Sequence, residues 1–166
     1  MDLFTHAMLA YLISFGLGQL VGVSEPMLLF AVFMAMVPDL DIFLYPLSYK
    51  YPVLSHRVGS HTFTFAFISA LIGAGICFVA FGTPIIGMFL FGFLGASTHV
   101  LMDMVTNYAI PPFGPFSWKT YSLDIDMAVN PLFLVLNVTM IPLMWNMRGR
   151  MAWDQYTIIV LAKTMS

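Results

Sequence analysis

The sequence predicts an all-α integral membrane protein, a bundle of about five membrane helices with two irregular interfacial loops. Of the 166 residues, 60% are hydrophobic and only 8% are charged. The mean hydropathy is +0.91. The apolar residues are grouped in runs that approach the length of a bilayer crossing, and short turns rich in proline and glycine separate them. At this length, residues 1–166 are expected to form a single membrane-embedded domain.

The first two predicted helices are joined by a tight turn. The first apolar run covers about residues 7–23, and the second helix is predicted over 26–37, because Pro38 disfavours helix at the residue before it. About 12 residues at 1.5 Å each give roughly 18 Å, which is short of a full crossing. Asp39 and Asp41, which follow this short helix, are therefore expected to lie below the level of the lipid headgroups.

The remaining elements alternate between irregular segments and apolar runs. Residues 42–60 are predicted to be a loop whose tyrosines suit the aromatic belt of a membrane interface. Two helices are predicted over 63–81 and 85–104, with a Gly-Thr-Pro turn between them. A second irregular, proline-containing segment covers 105–128, and a last membrane helix is predicted over 129–147.

Charge and cysteine content exclude several classes of function. The net charge is -2, and no long run of basic residues is present, which excludes a nucleic-acid partner. The single cysteine, Cys77, lies in an apolar run, so neither an intramolecular disulfide nor a cysteine-based zinc site can form. Any metal site must therefore be built from histidine and carboxylate side chains.

Histidines and aspartates are concentrated in a few short motifs. Ionisable residues at membrane depth are energetically expensive and are usually functional. Counting the predicted crossings from the N-terminus brings all of these motifs to one face of the membrane. The candidate site residues are His6, Asp39, Asp41, His56, His61, His99 and Asp103.

The positions of these residues along their helices favour a bound cation. His99 and Asp103 are spaced i, i+4 and share one helix face. Asp103 is near the C-terminal end of its helix, where the helix dipole disfavours a carboxylate. His6 and His61 are at helix starts, where the dipole disfavours the imidazolium, so both are predicted to be neutral, the form that binds metal.

The donor set selects a divalent metal. Histidine and aspartate ligands without thiolate suit Zn²⁺ best, and Mn²⁺ and Fe²⁺ also accept them. We assign His6, Asp41, His56, His61, His99 and Asp103 to the metal, as ligands of one ion or of two ions. Asp39 is predicted to be the general base, and Arg57 and Lys119 are predicted to contact an anionic group of the substrate.

With these motifs in place, the chain resembles the DUF457 family of membrane-bound metal-dependent hydrolases, which includes the YdjM-type inner-membrane proteins. The seven candidate residues would inherit the metal and active-site role of that family. The order of the ligands is also distantly similar to that of zinc-dependent phospholipase C, which implies phosphoester chemistry on a lipid. Val58 stands where the family has glycine, and Asn130 stands where it has aspartate. The motifs are MDLFTH at 1–6, PDLD at 38–41, HRVGSH at 56–61, HVLMD at 99–103, TNY at 106–108 and PFS at 115–117.

The function predicted from the sequence is metal-dependent hydrolysis of a phosphoester or ester of a lipid or lipid-linked substrate. Two alternatives remain open at this point. A metal-ion or proton transporter would place ligands along a path, and a structural or regulatory membrane protein would use the polar motifs to lock the bundle. The chain is expected in the cytoplasmic membrane. Arg148 and Arg150, on the other side from the site, slightly favour an extracytoplasmic site.

Overall fold

Every regular secondary-structure element in the described part of the protein is a helix. The structure is a computed structural model, and it describes residues 3–125 and residue 138. This part of the chain contains four candidate membrane spans, which are Leu3–Val21, Glu25–Ser48, Phe63–Phe81 and Ile85–Val105. The predicted fifth helix at 129–147, with Asn130, Arg148 and Arg150, lies outside the described residues. The count of about five helices and the single domain therefore stay predictions.

The second span is longer than the sequence predicted. Helix α1 covers Leu3–Val21, and α2 covers Glu25–Met36, so α2 ends one residue before the predicted boundary. The chain does not leave the helical path there, because a 3-10 helix over Val37–Leu44 follows directly, and then a short helix α3 over Tyr45–Ser48. Pro38 falls in the first turn of the 3-10 helix, where a missing N–H costs little.

This continuous path corrects two predictions. The second span has 24 residues instead of about 12, so it is long enough to cross a membrane. The predicted loop at 42–60 is partly helical, since it contains the end of the 3-10 helix, α3 and a second 3-10 turn over Pro52–Leu54.

Helix α5 is the centre of the described bundle. Helices α4 and α5 cover Phe63–Phe81 and Ile85–Val105, and α5 contacts α1, α2 and α4. Helix α4 turns a face of small residues to the interior: Ala66, Ala70 and Ala74 are all completely buried. A Cβ atom placed on Gly95 of α5 would collide with the backbone of Ala31. Small residues of this kind let membrane helices approach closely.

Two local devices fix the ends of the helices that carry the site. The side chain of Thr62 accepts a hydrogen bond from the backbone N–H of Phe65 at 3.0 Å and caps α4 directly after His61. At the end of α5, the hydroxyl of Thr106 donates to the carbonyl of Asp103 at 2.7 Å. The segment after α5 folds back, with isolated β-bridges from Thr106 to Ile125 and from Ile110 to Tyr121.

Candidate metal centre

Five histidine and aspartate side chains from four different elements meet inside the described bundle. We call this group the His–Asp cluster. The N-terminal part of α1, the 3-10 helix and the position just before the Thr62 cap each supply one member. Helix α5 supplies the other two of the five. In all but one of them the side chain is at most 1% exposed, and in the exception, Asp39, it is 21% exposed. The members are His6, Asp39, His61, His99 and Asp103.

The imidazole Nε2 atoms converge on two carboxylates. Nε2 of His61 lies 3.3 Å from Oδ2 of Asp103 and 3.4 Å from Oδ1 of Asp39. Nε2 of His99 lies 3.6 Å from each of the same two oxygens. Nε2 of His6 lies 3.2 Å from Oδ1 of Asp103, and the His6 ring stacks on the His99 ring with centroids 3.7 Å apart. The predicted convergence of these five residues is therefore what the fold produces.

Hydrogen bonds at Nδ1 orient two of the rings. Nδ1 of His99 lies 2.7 Å from the carbonyl oxygen of Ala35, which can only accept, so Nδ1 carries a proton and Nε2 faces the carboxylates of the cluster. Nδ1 of His61 lies 2.9 Å from the hydroxyl of Ser60, which in turn donates to Asp41. Histidines that bind metal typically donate their second N–H to a carbonyl or a carboxylate in this way.

The cluster fits a divalent metal of the kind that the sequence predicted. Two atoms that are each 2.0–2.2 Å from a tetrahedral zinc ion lie about 3.3–3.6 Å from each other. The distances between Nε2 and carboxylate oxygens in the cluster are 3.2–3.6 Å. Nε2 of His99 is buried and has no well-aligned hydrogen-bond partner within the described residues, whereas Nε2 of His61 lies between the carboxylates of Asp39 and Asp103. Buried donors and acceptors are normally paired, so Nε2 of His99 points to a ligand.

His56 and Asp41 form an outer layer beside the cluster. Nδ1 of His56 lies 2.6 Å from Oδ1 of Asp41. The other oxygen of Asp41 accepts from Ser60 and from the backbone N–H of Arg57, the latter at 3.2 Å. Both oxygens of Asp41 are thus engaged by protein donors. His56 can still join a metal group, because one of its ring nitrogens lies within 4.8 Å of ligand atoms of Asp39 and His61.

The charge state of His61 differs from the prediction. Burial lowers the pKa of His61, but the adjacent carboxylates of Asp103, Asp39 and Asp41 outweigh burial and raise it to about 10. The metal-free His61 is therefore an imidazolium at neutral pH, although its place near a helix start predicted a neutral ring. Three nearby carboxylates contribute more than the partial charge of one helix end.

The two basic residues predicted to contact an anion have different surroundings. Arg57 follows His56 directly, and its guanidinium carbon lies 4.0 Å from the centroid of the Tyr108 ring. Its φ of 67° is in the left-handed region, which costs a residue other than glycine about 1–3 kcal/mol. Lys119 lies over the ring of Tyr121 instead, at 5.4 Å, and takes part in none of the hydrogen bonds or ion pairs of the described cluster.

An apolar cavity adjoins the outer layer. Its volume is about 440 Å³, and Asp41 is the one ionisable residue of its lining that belongs to the described part of the chain. Asp41 and Ser60 form the polar part of its wall, and these two residues connect to His61. The rest of the lining is Val37, Leu40, Leu44, Val53, Leu54, Gly59 and Phe65.

Two groups that contribute to the site were not predicted from the sequence. The first is the carbonyl of Ala35, which orients His99. The sequence signal for this free carbonyl was Pro38, which stands three residues after Ala35. Proline has no N–H to donate to that carbonyl in a 3-10 turn. Tyr108 lies in the TNY motif, but its contact with Arg57 joins residues 51 positions apart. No local pattern predicts such a contact.

Comparison with known proteins places the chain in a family. The family model described as YdjM inner membrane protein matches residues 1–166. The inner membrane protein YbcI of Escherichia coli is 35% identical over 105 residues, which are 62% of this chain and 60% of that relative. The match thus spans less than two thirds of the relative's length. No solved structure matches the chain. The chain, with its apolar helices and their buried His–Asp cluster, belongs to the YdjM family of integral inner membrane proteins.

Proposed function

We propose that this protein is a membrane-embedded metal-dependent hydrolase that cleaves a phosphoester or ester bond of a lipid or lipid-linked substrate. One observation carries the proposal: three buried imidazoles and two carboxylates, from distant parts of the chain, bring their ligand atoms together inside the membrane domain. Burying so many ionisable groups is unfavourable unless they pair with one another, bind an ion or take part in chemistry, and groups placed in this way usually mark a functional site.

The residues divide into three roles in this proposal. His61, His99 and Asp103 would hold the ion, together with His6, and zinc is the best match to this donor set, ahead of manganese and iron. When bound, such an ion supplies Lewis-acid activation of water and of the scissile group. Asp41 orients His61 through Ser60.

Asp39 is proposed to accept the proton of the attacking water. Its side chain is 21% exposed, whereas that of Asp103 is 1% exposed, so Asp39 is the carboxylate of the cluster that a substrate can reach. A general base must be within hydrogen-bond reach of the group from which it takes the proton. His56, which contacts Asp41, has a side chain that is 38% exposed.

The cavity supports a substrate with a hydrocarbon part. A volume of about 440 Å³ is within the usual range of small-molecule sites, about 300–1,000 Å³. Its lining is apolar except where Asp41 and Ser60 face it, and it adjoins a helical span that is long enough to cross the bilayer. A lipid chain in this cavity would present its polar end next to the cluster.

Elemental analysis of the purified full chain tests the proposal. Wild-type protein is expected to contain about one or two zinc, manganese or iron ions per chain, and His99→Ala and Asp103→Asn are expected to lose them. Asp124→Asn is the matched control, since Asp124 is an exposed carboxylate outside the cluster. Folded wild-type protein that takes up no metal would refute the proposal and favour a structural role of the cluster.

A further inference from the structure

Arg57 and Tyr108 form a cation–aromatic pair that lies outside the His–Asp cluster. The guanidinium carbon of Arg57 stands 4.0 Å from the centre of the Tyr108 ring. Attraction between the cation and the aromatic face holds the planar guanidinium against the Tyr108 ring. The outer N–H groups of the guanidinium are then directed away from the ring. The pair is thus a cation that is held in place but not neutralised.

No carboxylate neutralises Arg57 within residues 3–125. Its backbone N–H donates to Asp41, but its side chain has no ion pair there, and its buried Nε has no hydrogen-bond partner in the same region. By contrast, the two buried carboxylates among the described residues, Asp41 and Asp103, lie next to imidazoles. Arg57 is only half-buried, so its guanidinium is accessible to an anion from outside the described residues.

Both members of the pair are anchored next to the cluster. Arg57 follows His56, and the Arg57 backbone is fixed to Asp41 at 3.2 Å in a left-handed conformation that arginine does not adopt by preference. The backbone N–H of Tyr108 donates to the hydroxyl of Thr106 at 3.2 Å, and that hydroxyl donates to the carbonyl of Asp103. Hydrogen bonds therefore connect both Arg57 and Tyr108 to residues of the site.

We propose that Arg57 binds the phosphate oxyanion of the substrate and that Tyr108 is a positioning residue that holds the guanidinium for it. This inference rests on the proposed function, because it assumes that hydrolysis takes place next to Arg57. It narrows the substrate to a phosphoester and excludes a carboxylic ester. A phosphoester carries a negative charge with two oxygens that match the N–H fork of arginine, whereas an ester carbonyl is neutral and offers one acceptor. Lys119, held over Tyr121, has no part in this subsite.

Titration calorimetry on the purified full chain tests the subsite with three probes. They are inorganic phosphate, dihexanoyl phosphatidic acid, and dihexanoylglycerol, which has the same chains without phosphate. We expect binding of at least one phosphate-bearing probe and none of dihexanoylglycerol at the same concentrations. Tighter binding of the phosphatidic acid than of free phosphate identifies a lipid headgroup as the ligand, and equal binding identifies free phosphate. Failure of both phosphate probes to bind would overturn the proposal.

Variants assign the binding to the pair. Arg57→Gln is expected to weaken phosphate binding about tenfold or more, because a charge-assisted bidentate contact is lost. Tyr108→Leu is expected to weaken it about threefold, and Tyr108→Phe to restore wild-type binding, because phenylalanine keeps the aromatic face. Equal losses in the Leu and Phe variants would exclude the proposed role of the ring.

Two further variants separate binding from folding. Arg57→Gly relieves the left-handed backbone, so it is expected to raise the melting temperature or leave it unchanged while binding is lost. Lys50 over Tyr51, at 5.4 Å, is a matched cation–aromatic pair, and Lys50→Gln is expected to leave phosphate binding unchanged. Loss of binding in Lys50→Gln as large as in Arg57→Gln would show a general charge effect and reject the subsite.

Metal analysis on the same samples distinguishes failure of the subsite from failure of the proposed function. Metal uptake without phosphate binding that depends on Arg57 would reject the subsite and leave the hydrolase proposal standing. Phosphate binding that depends on Arg57 in protein that takes up no metal would support the subsite and reject the hydrolase proposal.

Discussion

At the scale of single residues, Asp39 and Asp41 have different surroundings although they stand two positions apart. Asp39 faces the Nε2 atoms of His61 and His99. Both oxygens of Asp41 instead accept hydrogen bonds, from His56, Ser60 and the backbone N–H of Arg57. The sequence assigned the metal to Asp41 and the general base to Asp39. In the structure three protein donors already contact the two oxygens of Asp41, which leaves it less capacity for an ion than Asp39 has.

This difference predicts graded effects on metal affinity. Asp41→Asn removes the acceptor behind Ser60 and is expected to weaken metal binding about 10–100-fold. Asp103→Asn removes a carboxylate that faces three imidazoles and is expected to abolish it. Competition with a chelator of known affinity measures both variants. Equal, complete loss in the two variants would show that Asp41 is itself a ligand.

The raised pKa of His61 predicts how metal binding depends on pH. An ion that takes Nε2 must displace the proton held there, so its affinity is expected to rise about tenfold per pH unit between about pH 6.5 and 9. Above about pH 10, the pKa of His61, the rise from this residue should end. Chelator competition at several pH values checks this, and a flat profile would contradict the assignment of His61 as a ligand.

The same pKa has the opposite effect on the stability of the metal-free protein. The folded pKa lies above the ordinary value of about 6.5, so the imidazolium contributes stability that is complete below about pH 6.5. That contribution is lost as the pH rises through about 10. The gap between the melting temperatures of metal-loaded and chelator-treated protein should therefore widen with pH. A constant gap would indicate that His61 is neutral in the metal-free state.

At the scale of elements, α5 carries two cluster residues and also the closest helix contact. Gly95 is one turn before His99, and a Cβ atom there would meet the carbonyl oxygen, carbonyl carbon and Cα of Ala31. Backbone cannot yield as a flexible side chain can. The glycine thus lets α2 come close enough for the carbonyl of Ala35 to reach His99.

Gly95→Ala is expected to push these helices apart and to lower stability by about 1–3 kcal/mol, as overpacking does. Metal affinity should fall as well, since His99 loses its orienting carbonyl. Gly75→Ala on α4 is the control, because its Cβ atom would meet nothing within 4 Å. Thermal unfolding in detergent and chelator competition measure the two effects. If Gly95→Ala behaved like the control, the close packing of α2 and α5 would not be needed.

At the scale of the whole molecule, the alternation of spans brings the cluster to one side. His6 is near the start of α1, His61 precedes α4, and His99 and Asp103 are in the last two turns of α5. The turn between α1 and α2 and the turn between α4 and α5 must then lie on the opposite side.

This arrangement predicts the accessibility of single cysteines in a Cys77→Ala background. Lys50→Cys and Ser117→Cys are expected to react with an impermeant thiol reagent from one side of the membrane, and Ser24→Cys from the other. The three positions are exposed. We expect the first two on the extracytoplasmic side. Labelling of Ser24→Cys and Lys50→Cys from the same side would contradict the topology.

The sequence by itself determined the helical membrane class, the approximate limits of α1, α4 and α5, and the residues of the cluster. Hydropathy, proline and glycine positions and the cost of buried charge are local properties that can be read along a chain. The length of the second span was not predicted from the sequence, because Pro38 ends an α-helix but is tolerated in the first turn of a 3-10 helix.

Only the tertiary structure decided how the polar residues divide their roles. The contacts of Asp41 with His56, of Ala35 with His99 and of Arg57 with Tyr108 join residues that are 15, 64 and 51 positions apart. The charge of His61 likewise depends on carboxylates from two other elements. Such distances and fields exist only after the helices have packed, because they follow from interhelical geometry and not from neighbours in the chain.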